Sequence, residues 1–434
     1  MNITAIVGRN GSGKTRYVDA LRKQLASDSV RYVAFRDSYG PAVDGSYYLQ
    51  LRWNQHDIDH EMPSAADVLD KAFQQTGPDT PERRAWRDHL CQLFNLDHVM
   101  DKYIITLSSG ELRKFQLVRA LLSRPRTLIL DEPFIGLDAP TRQQLRDLLF
   151  TLATDNDLHL YLVLARRDDV PDYVEKKIHP QETDLQQTAP QPLPVMEGGN
   201  NSLPLNVSAP LHHKEGLPVI RMNHVTIRYG ERTILRDLNW TVMSGERWAL
   251  SGRNGSGKST LLSLVCADNP QAYACDIQLF GHQRGESGVS IWDIKRRIGY
   301  VSPELARSYR HNQSVLHVVA SGLKDTVGLY VRPNEREAEL CRLWLHVFGI
   351  GHLEQRSFLN LSSGEQRLVL VARAFVKDPE LLILDEPLHG LDDENRQLVR
   401  RVIMDFCSRP NKTLIMVTHY EEELPPCIDR RLRL

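Results

Sequence analysis

The sequence predicts an α/β fold built twice in tandem, each copy a parallel-sheet core with a separate helical subdomain. Three observations predict it. A glycine-rich motif follows a short apolar strand in each half of the chain. Four motifs recur in the same order in both halves. The strands before the acidic motifs are almost wholly apolar, as central strands covered on both faces are.

The repeat is explicit. Gly8-Arg9-Asn10-Gly11-Ser12-Gly13-Lys14-Thr15 returns as Gly252-Arg253-Asn254-Gly255-Ser256-Gly257-Lys258-Ser259. Leu107-Ser108-Ser109-Gly110-Glu111 returns as Leu361-Ser362-Ser363-Gly364-Glu365. Leu128-Ile129-Leu130-Asp131-Glu132-Pro133 returns as Leu382-Ile383-Leu384-Asp385-Glu386-Pro387, and Gly136-Leu137-Asp138 as Gly390-Leu391-Asp392. The last three pairs share an offset of 254 residues, the mark of a duplicated domain. The first domain is expected at 1–179 and the second at 218–434. Between them, 180–217 is rich in Pro, Gln and Ser, cannot bury a core and reads as an extended linker. The pair His212-His213 within it reads as solvated.

Individual elements follow from pattern. Ile3–Val7 and the run Trp248-Ala249-Leu250-Ser251 are strands feeding the glycine-rich turns, and a helical pattern follows each turn. Leu160-Tyr161-Leu162-Val163 and Leu414-Ile415-Met416-Val417 are later core strands. The stretches 56–106 and 305–360 read as largely helical, a subdomain apart from the sheet.

Composition narrows the function classes. The chain has 434 residues, 41% hydrophobic and 25% charged, with a net charge of -1. These are globular values without the basic excess of a general nucleic-acid binder. No apolar run reaches the length of a membrane span, and the first residues lack the basic flank of a secretory signal. The six cysteines show no CxxC pair and read as reduced, packed thiols of a cytoplasmic protein.

The motifs carry a recognisable chemistry. In GxxxxGK[ST], glycines let backbone N–H groups approach a polyphosphate, and the following helix adds its positive end. Gly8, Asn10, Gly11, Ser12 and Gly13, with Gly252, Asn254, Gly255, Ser256, Gly257 and Thr260, are the expected cradles. Lys14 and Lys258 would reach the β- and γ-phosphates, and Thr15 and Ser259 would place a hydroxyl on Mg²⁺. Asp131 and Asp385 would hold Mg²⁺ through water, and Glu132 and Glu386 would orient or deprotonate the attacking water. Ser108 and Gly110, with Ser362 and Gly364, form a second anion site at a helix start. That site is expected to close on the γ-phosphate of the opposite half.

Taken together, these motifs with a histidine after the last strand resemble the ABC ATPase family over nearly the whole chain. The resemblance implies two P-loop NTPase domains with RecA-like cores and helical subdomains, paired head to tail around two ATP molecules. It implies Mg-dependent ATP hydrolysis. It also gives Tyr229, in Val225-Thr226-Ile227-Arg228-Tyr229-Gly230, the role of stacking on adenine, and His419 that of contacting the γ-phosphate and water. The halves differ. Aligning Met416–Pro425 with Leu162–Pro171 sets Ala165 opposite His419. The first half lacks the early strands and their aromatic; either the natural start lies upstream of Met1 or this half holds adenine loosely. Phe35 and Pro303 stand where the family has glutamine. The expectation is one hydrolysing site (Lys258, Asp385, Glu386, His419 with Ser108, Gly110) and one slow or structural site (Lys14, Asp131, Glu132 with Ser362, Gly364).

Segments of the second half resemble the ModF-type ATP-binding proteins of molybdenum transport, among them Pro270-Gln271-Ala272-Tyr273 and Ile291-Trp292-Asp293-Ile294-Lys295-Arg296-Arg297-Ile298-Gly299-Tyr300-Val301-Ser302. This implies a membrane permease as partner, at the inner face of the membrane; no nucleic acid is expected from the charge balance. A regulatory or translation-factor ATPase and a mechanical DNA-repair ATPase stay open. Ribosome binding is disfavoured by a Pro-rich linker with few basic residues, the DNA-repair reading by the lack of coiled-coil or zinc insertions.

Overall fold

The computed structural model describes residues 2–8, 12–25, 29–35, 63–104, 107, 109–134, 137, 139–155, 158–180, 218–230, 232–253, 255–309, 312–329 and 331–434. The expected linker beyond Pro180, with His212-His213, lies outside the described residues. So do Asn10, Gly11, Ser108, Asn254, Gly136 and Asp138. The chain divides into two compact units, Met1–Thr183 and Asp184–Leu434.

In the first unit the order is β1 (Ile3–Val7), α1 (Lys14–Gln24), β2 (Val30–Ala34), α2 (Ala65–Gln75), α3 (Pro81–Leu93), α4 (Ser109–Leu121), β3 (Thr127–Asp131), α5 (Ala139–Asp155), β4 (His159–Leu164) and β5 (Lys176–Ile178). Its strands form a wholly parallel sheet in the order β2-β3-β4-β1-β5. Parallel strands need crossovers, which the helices supply. The first four residues of β3 are all buried, which is why that strand is apolar throughout.

The second unit runs β6 (Pro218–Tyr229), β7 (Arg232–Met243), β8 (Arg247–Ser251), α6 (Lys258–Val265), β9 (Asp276–Leu279), β10 (His282–Gln283), α7 (Ile291–Lys295), β11 (Ile298–Val301), α8 (Pro303–Ser308), α9 (Val315–Lys324), α10 (Glu335–Val347), α11 (Ser363–Phe375), β12 (Leu381–Asp385), α12 (Asp393–Ser408), β13 (Thr413–Val417) and β14 (Arg430–Arg433). Its parallel sheet, β11-β12-β13-β8-β14, repeats the first unit's strand order. It adds an antiparallel sheet, β10-β9-β6-β7, with no counterpart among the described residues of the first unit. Along β6 buried and exposed residues largely alternate, as in a strand with one covered face.

Helix starts obey local chemistry. Ser64, Asn334 and Ser362 each close a capping box with an acid three residues on. Asp392, the last residue of the Gly-Leu-Asp motif, caps α12 by accepting from Asn395 N–H at 2.9 Å. An aromatic cluster ties the second unit's helices together. Trp344 of α10 lies 5.3 Å from Phe375 of α11, which meets Phe406 of α12 edge-on at 5.7 Å. All six cysteines are free thiols. Among the described residues no helix is long and apolar enough to cross a membrane.

Candidate functional site

The strand order β12-β13-β8 brings three motifs of the second unit to one sheet edge. Asp385 pairs with Val417, and Val417 with Leu250, so the strand ends are level. The carboxyl edge of a parallel sheet is where ligands bind in such folds.

The glycine-rich turn leaves β8 and enters α6. Gly257 precedes the helix at φ 99°, a conformation that side-chain-bearing residues resist. At Gly252 an added Cβ would lie 2.5 Å from Ser256 Oγ and 2.8 Å from the Leu434 carbonyl oxygen, so the turn closes only around glycine. Lys258 Nζ donates to the carbonyls of Gly252 (2.7 Å) and Arg253 (3.0 Å), which folds the ammonium over the turn. Ser256 Oγ is buried without a hydrogen-bond partner. Ser259 and Thr260 occupy the first turn of α6 beside it.

Asp385 ends β12, and Glu386 follows at φ 53°. Left-handed backbone costs a non-glycine residue about 1–2 kcal/mol. It is held here by the Glu386 N–H donating to Val417 O at 2.9 Å. Such strain, in an observed outlier beside other polar groups, is common at functional sites. His419 Nε2 lies 3.7 Å from Glu386 Oε1, with both side chains largely buried. Loss of water raises the Glu386 pKa well above the ordinary carboxylate range. The charges of Asp385 and Glu423 add to this, and Arg367 and Lys258 oppose it.

Ser362 and Gly364 start α11. The Ser362 hydroxyl accepts from Glu365 N–H (3.3 Å) and donates to Glu365 Oε2 (2.7 Å), so it serves its own helix. Tyr229 is only 7% exposed, and its hydroxyl accepts from Asn269 Nδ2 at 3.0 Å. Adenine contact is therefore limited to a narrow strip of the ring unless the ring moves. Pro303 opens α8 behind Ser302, whose hydroxyl accepts from Leu305 N–H at 3.2 Å. Proline suits the first helical position, which needs no N–H.

In the first unit the same edge is built with different ends. Gly13 stands at φ 81° before α1, Lys14 Nζ donates to the Gly8 carbonyl, and Ser12 Oγ is buried without a partner. Thr15 follows in the helix, exposed. Glu132 repeats the φ of 53° and donates its N–H to Val163 O at 2.9 Å. Its carboxyl is pushed up to about 8, first by loss of water, with Asp131 and Asp169 adding and Lys14 opposing. Ile6 pairs with Val163 as Leu250 pairs with Val417, so the register sets Ala165 at the position of His419. Gly110 is buried in the first turn of α4. Phe35 is buried under the Arg113 guanidinium, 5.7 Å from its ring centre.

Some residues at the site were not singled out from sequence. Tyr32 Oη donates to Asp131 Oδ2 at 2.7 Å. Tyr300 stands in the matching strand, and the Asp385 charge helps raise its pKa. Asp169 and Glu423 are buried acids bearing on Glu132 and Glu386 respectively. They share the 254-residue offset of the repeat, so extending the repeat comparison past the strands finds them.

The described residues bring a glycine-rich turn, a lysine and an acid pair to one sheet edge in each unit, with an imidazole in the second. A family model described as ABC transporter matches residues 1–135 and 235–389. The chain is 39% identical to the ABC transporter ATP-binding protein ModF of Escherichia coli (strain K12), over 99% of this chain and 90% of that one. It is 30% identical to an uncharacterized ABC transporter ATP-binding protein of Schizosaccharomyces pombe, over 99% and 91% of the two chains. A similar uncharacterized protein of Saccharomyces cerevisiae is 24% identical over 96% and 88%.

Proposed function

Because this chain belongs to the ABC transporter family of ATP-binding proteins, we propose that it binds two ATP molecules and hydrolyses ATP mainly on the second unit, to drive a transporter. The observation that carries this is the His419–Glu386 approach at 3.7 Å on the edge that also holds Lys258 and Asp385. The cradle formed by Gly252, Gly255, Ser256, Gly257 and Thr260 holds the phosphates, and Lys258 supports their β- and γ-oxygens. Glu386 takes up the proton of the attacking water, and His419 orients that water against the γ-phosphate.

Magnesium fits the residues present. Ser259 with Asp385, and Thr15 with Asp131, offer hydroxyl and carboxylate oxygens, which a hard cation prefers, beside the buried hydroxyls of Ser256 and Ser12. When bound, the ion neutralises phosphate charge.

In the first unit Gly8, Asn10, Gly11, Ser12, Gly13 and Lys14 hold ATP with Glu132 but without an imidazole, so that site turns over slowly. Head-to-tail pairing of the two halves around ATP is part of the same proposal, and its support is membership of the family alone. Tyr229 turns its ring onto adenine by leaving Asn269. The resemblance to ModF-type proteins supports a membrane permease as partner, the inner face of the membrane as location and molybdate as cargo.

A second reading, a regulatory or translation-factor ATPase without a permease, draws on Phe35 and Pro303 at the glutamine positions. The test is Glu386→Gln, which should abolish Mg-ATP turnover while trapping bound nucleotide. Recovery of a permease with the trapped protein and lost molybdate uptake support transport, and ribosomal proteins would support the second reading. Unchanged turnover in Glu386→Gln would overturn the assignment of hydrolysis.

A further inference from the structure

Thr418 and His419 leave β13 at the site edge, and what holds this short loop is a buried acid. Glu423 is 3% exposed. Its Oε2 accepts the Thr418 hydroxyl at 2.6 Å, and its Oε1 is gripped by Arg396 Nη2 of α12. The Thr418 hydroxyl in turn accepts from Tyr420 N–H at 3.2 Å, and Glu423 N–H donates to Tyr420 O at 3.1 Å. His419 is therefore the apex of a loop wrapped around one hydroxyl. Arg396 Nε also donates to Leu388 O at 3.4 Å, in the segment just after the Asp385-Glu386 pair. One guanidinium thus spans the loop that carries His419 and the segment that follows Glu386.

We propose that Glu423 is a positioning residue for hydrolysis, tying Thr418 to Arg396 and so aiming the His419 imidazole at Glu386; the proposal rests on the hydrolytic reading of the second unit. Two observations argue for it. A carboxylate this deeply buried is expensive unless fully bonded, and both of its oxygens are engaged by groups flanking the site. The first unit supplies an internal comparison. Asp169, in Glu423's position, is also buried, but Leu164 and Ala165 stand where Thr418 and His419 do. Asp169 there lies 3.9 Å from Arg166 of its own loop. The threonine tether and the imidazole are absent together from that unit, as expected if the first serves to aim the second.

A double-mutant cycle on the full chain tests this, with Mg-ATP turnover and nucleotide Kd measured for each protein. Thr418→Val removes the hydroxyl at equal volume, Glu423→Gln keeps an acceptor for it, and Glu423→Ala removes both partners. Thr418→Val and Glu423→Ala should each lower kcat about tenfold with Kd held within about twofold. Glu423→Gln should retain most of the turnover. Neither loss should add to that of His419→Ala. Losses that multiply in the His419→Ala background, or a Kd that rises in step with the kcat loss, would overturn the proposal. So would unchanged kcat in Thr418→Val, which decides the matter even where Glu423→Ala does not fold. The parent reading fails by a separate sign, wild-type protein without Mg-ATP turnover, and the proposal falls with it.

Discussion

Glu386 and Glu132 occupy equivalent strand ends at the same φ of 53°, yet His419 Nε2 lies 3.7 Å from Glu386 Oε1 while Ala165 fills that register beside Glu132. Both units carry the backbone conformation and the acid, and the second carries the imidazole. At this sheet edge the two units therefore share their strand order and differ in the side chains that follow the strand.

Glu386→Gln should cut steady-state Mg-ATP turnover by about 100-fold or more, whereas Glu132→Gln should cost less than about threefold. Single-turnover assays on the two variants provide the comparison. Equal losses would show that both units hydrolyse alike.

The Tyr32 hydroxyl bonds Asp131, the residue proposed to hold magnesium in the first unit. Tyr32→Phe removes a hydrogen bond to a charged group, an effect of about 1.5–3 kcal/mol where the acceptor is left unsatisfied. Magnesium-dependent nucleotide retention by the first unit should weaken, measured in a Lys258→Ala background that silences the second. Unchanged magnesium dependence would make Tyr32 a packing residue only.

Loss of water raises the Glu132 carboxyl to about 8, so between its ordinary value of 4.5 and about 8 the folded chain binds that proton more tightly than the unfolded chain does. Stability is then lost as pH rises through that window. Glu132→Gln mimics the protonated acid. Measured by thermal melting without nucleotide, it should gain several degrees at pH 8.5 relative to wild type and little at pH 5. A gain of equal size at both pH values would remove the electrostatic explanation.

At Gly257 an added Cβ would lie 2.9 Å from Leu235 Cδ2, and φ is 99°. Gly257→Ala combines left-handed strain of about 1–2 kcal/mol with a steric contact at the start of α6. It should lower the melting temperature and weaken nucleotide binding by the second unit. Isothermal titration of a Lys14→Ala background isolates that unit. Wild-type affinity would mean that the turn tolerates a side chain.

Much of this protein was legible in the chain itself. The order and spacing of Gly252-to-Ser259 and Asp385-Glu386, repeated in both halves, pointed to the ABC family to which the chain belongs, because phosphate binding needs glycines and a lysine at set positions whatever surrounds them. The apolar runs before Asp131 and Asp385 named central strands, because a buried parallel strand has no face for polar groups. The alignment that set Ala165 opposite His419 is repeated in the sheet register. Tertiary structure alone decided the rest. Tyr32 meets Asp131 across 99 residues of sequence, and Arg396 meets Glu423 across 27. Nothing local marks such a tyrosine, since its significance comes from the neighbouring strand, and the acid shows in the sequence only as a member of the repeat, without its partner. The burial of Tyr229 against Asn269 and the use of the Ser362 hydroxyl by its own helix are of the same kind. A motif states which group is available; only packing states which partner holds it, and hydrogen bonds are won by the nearest geometry.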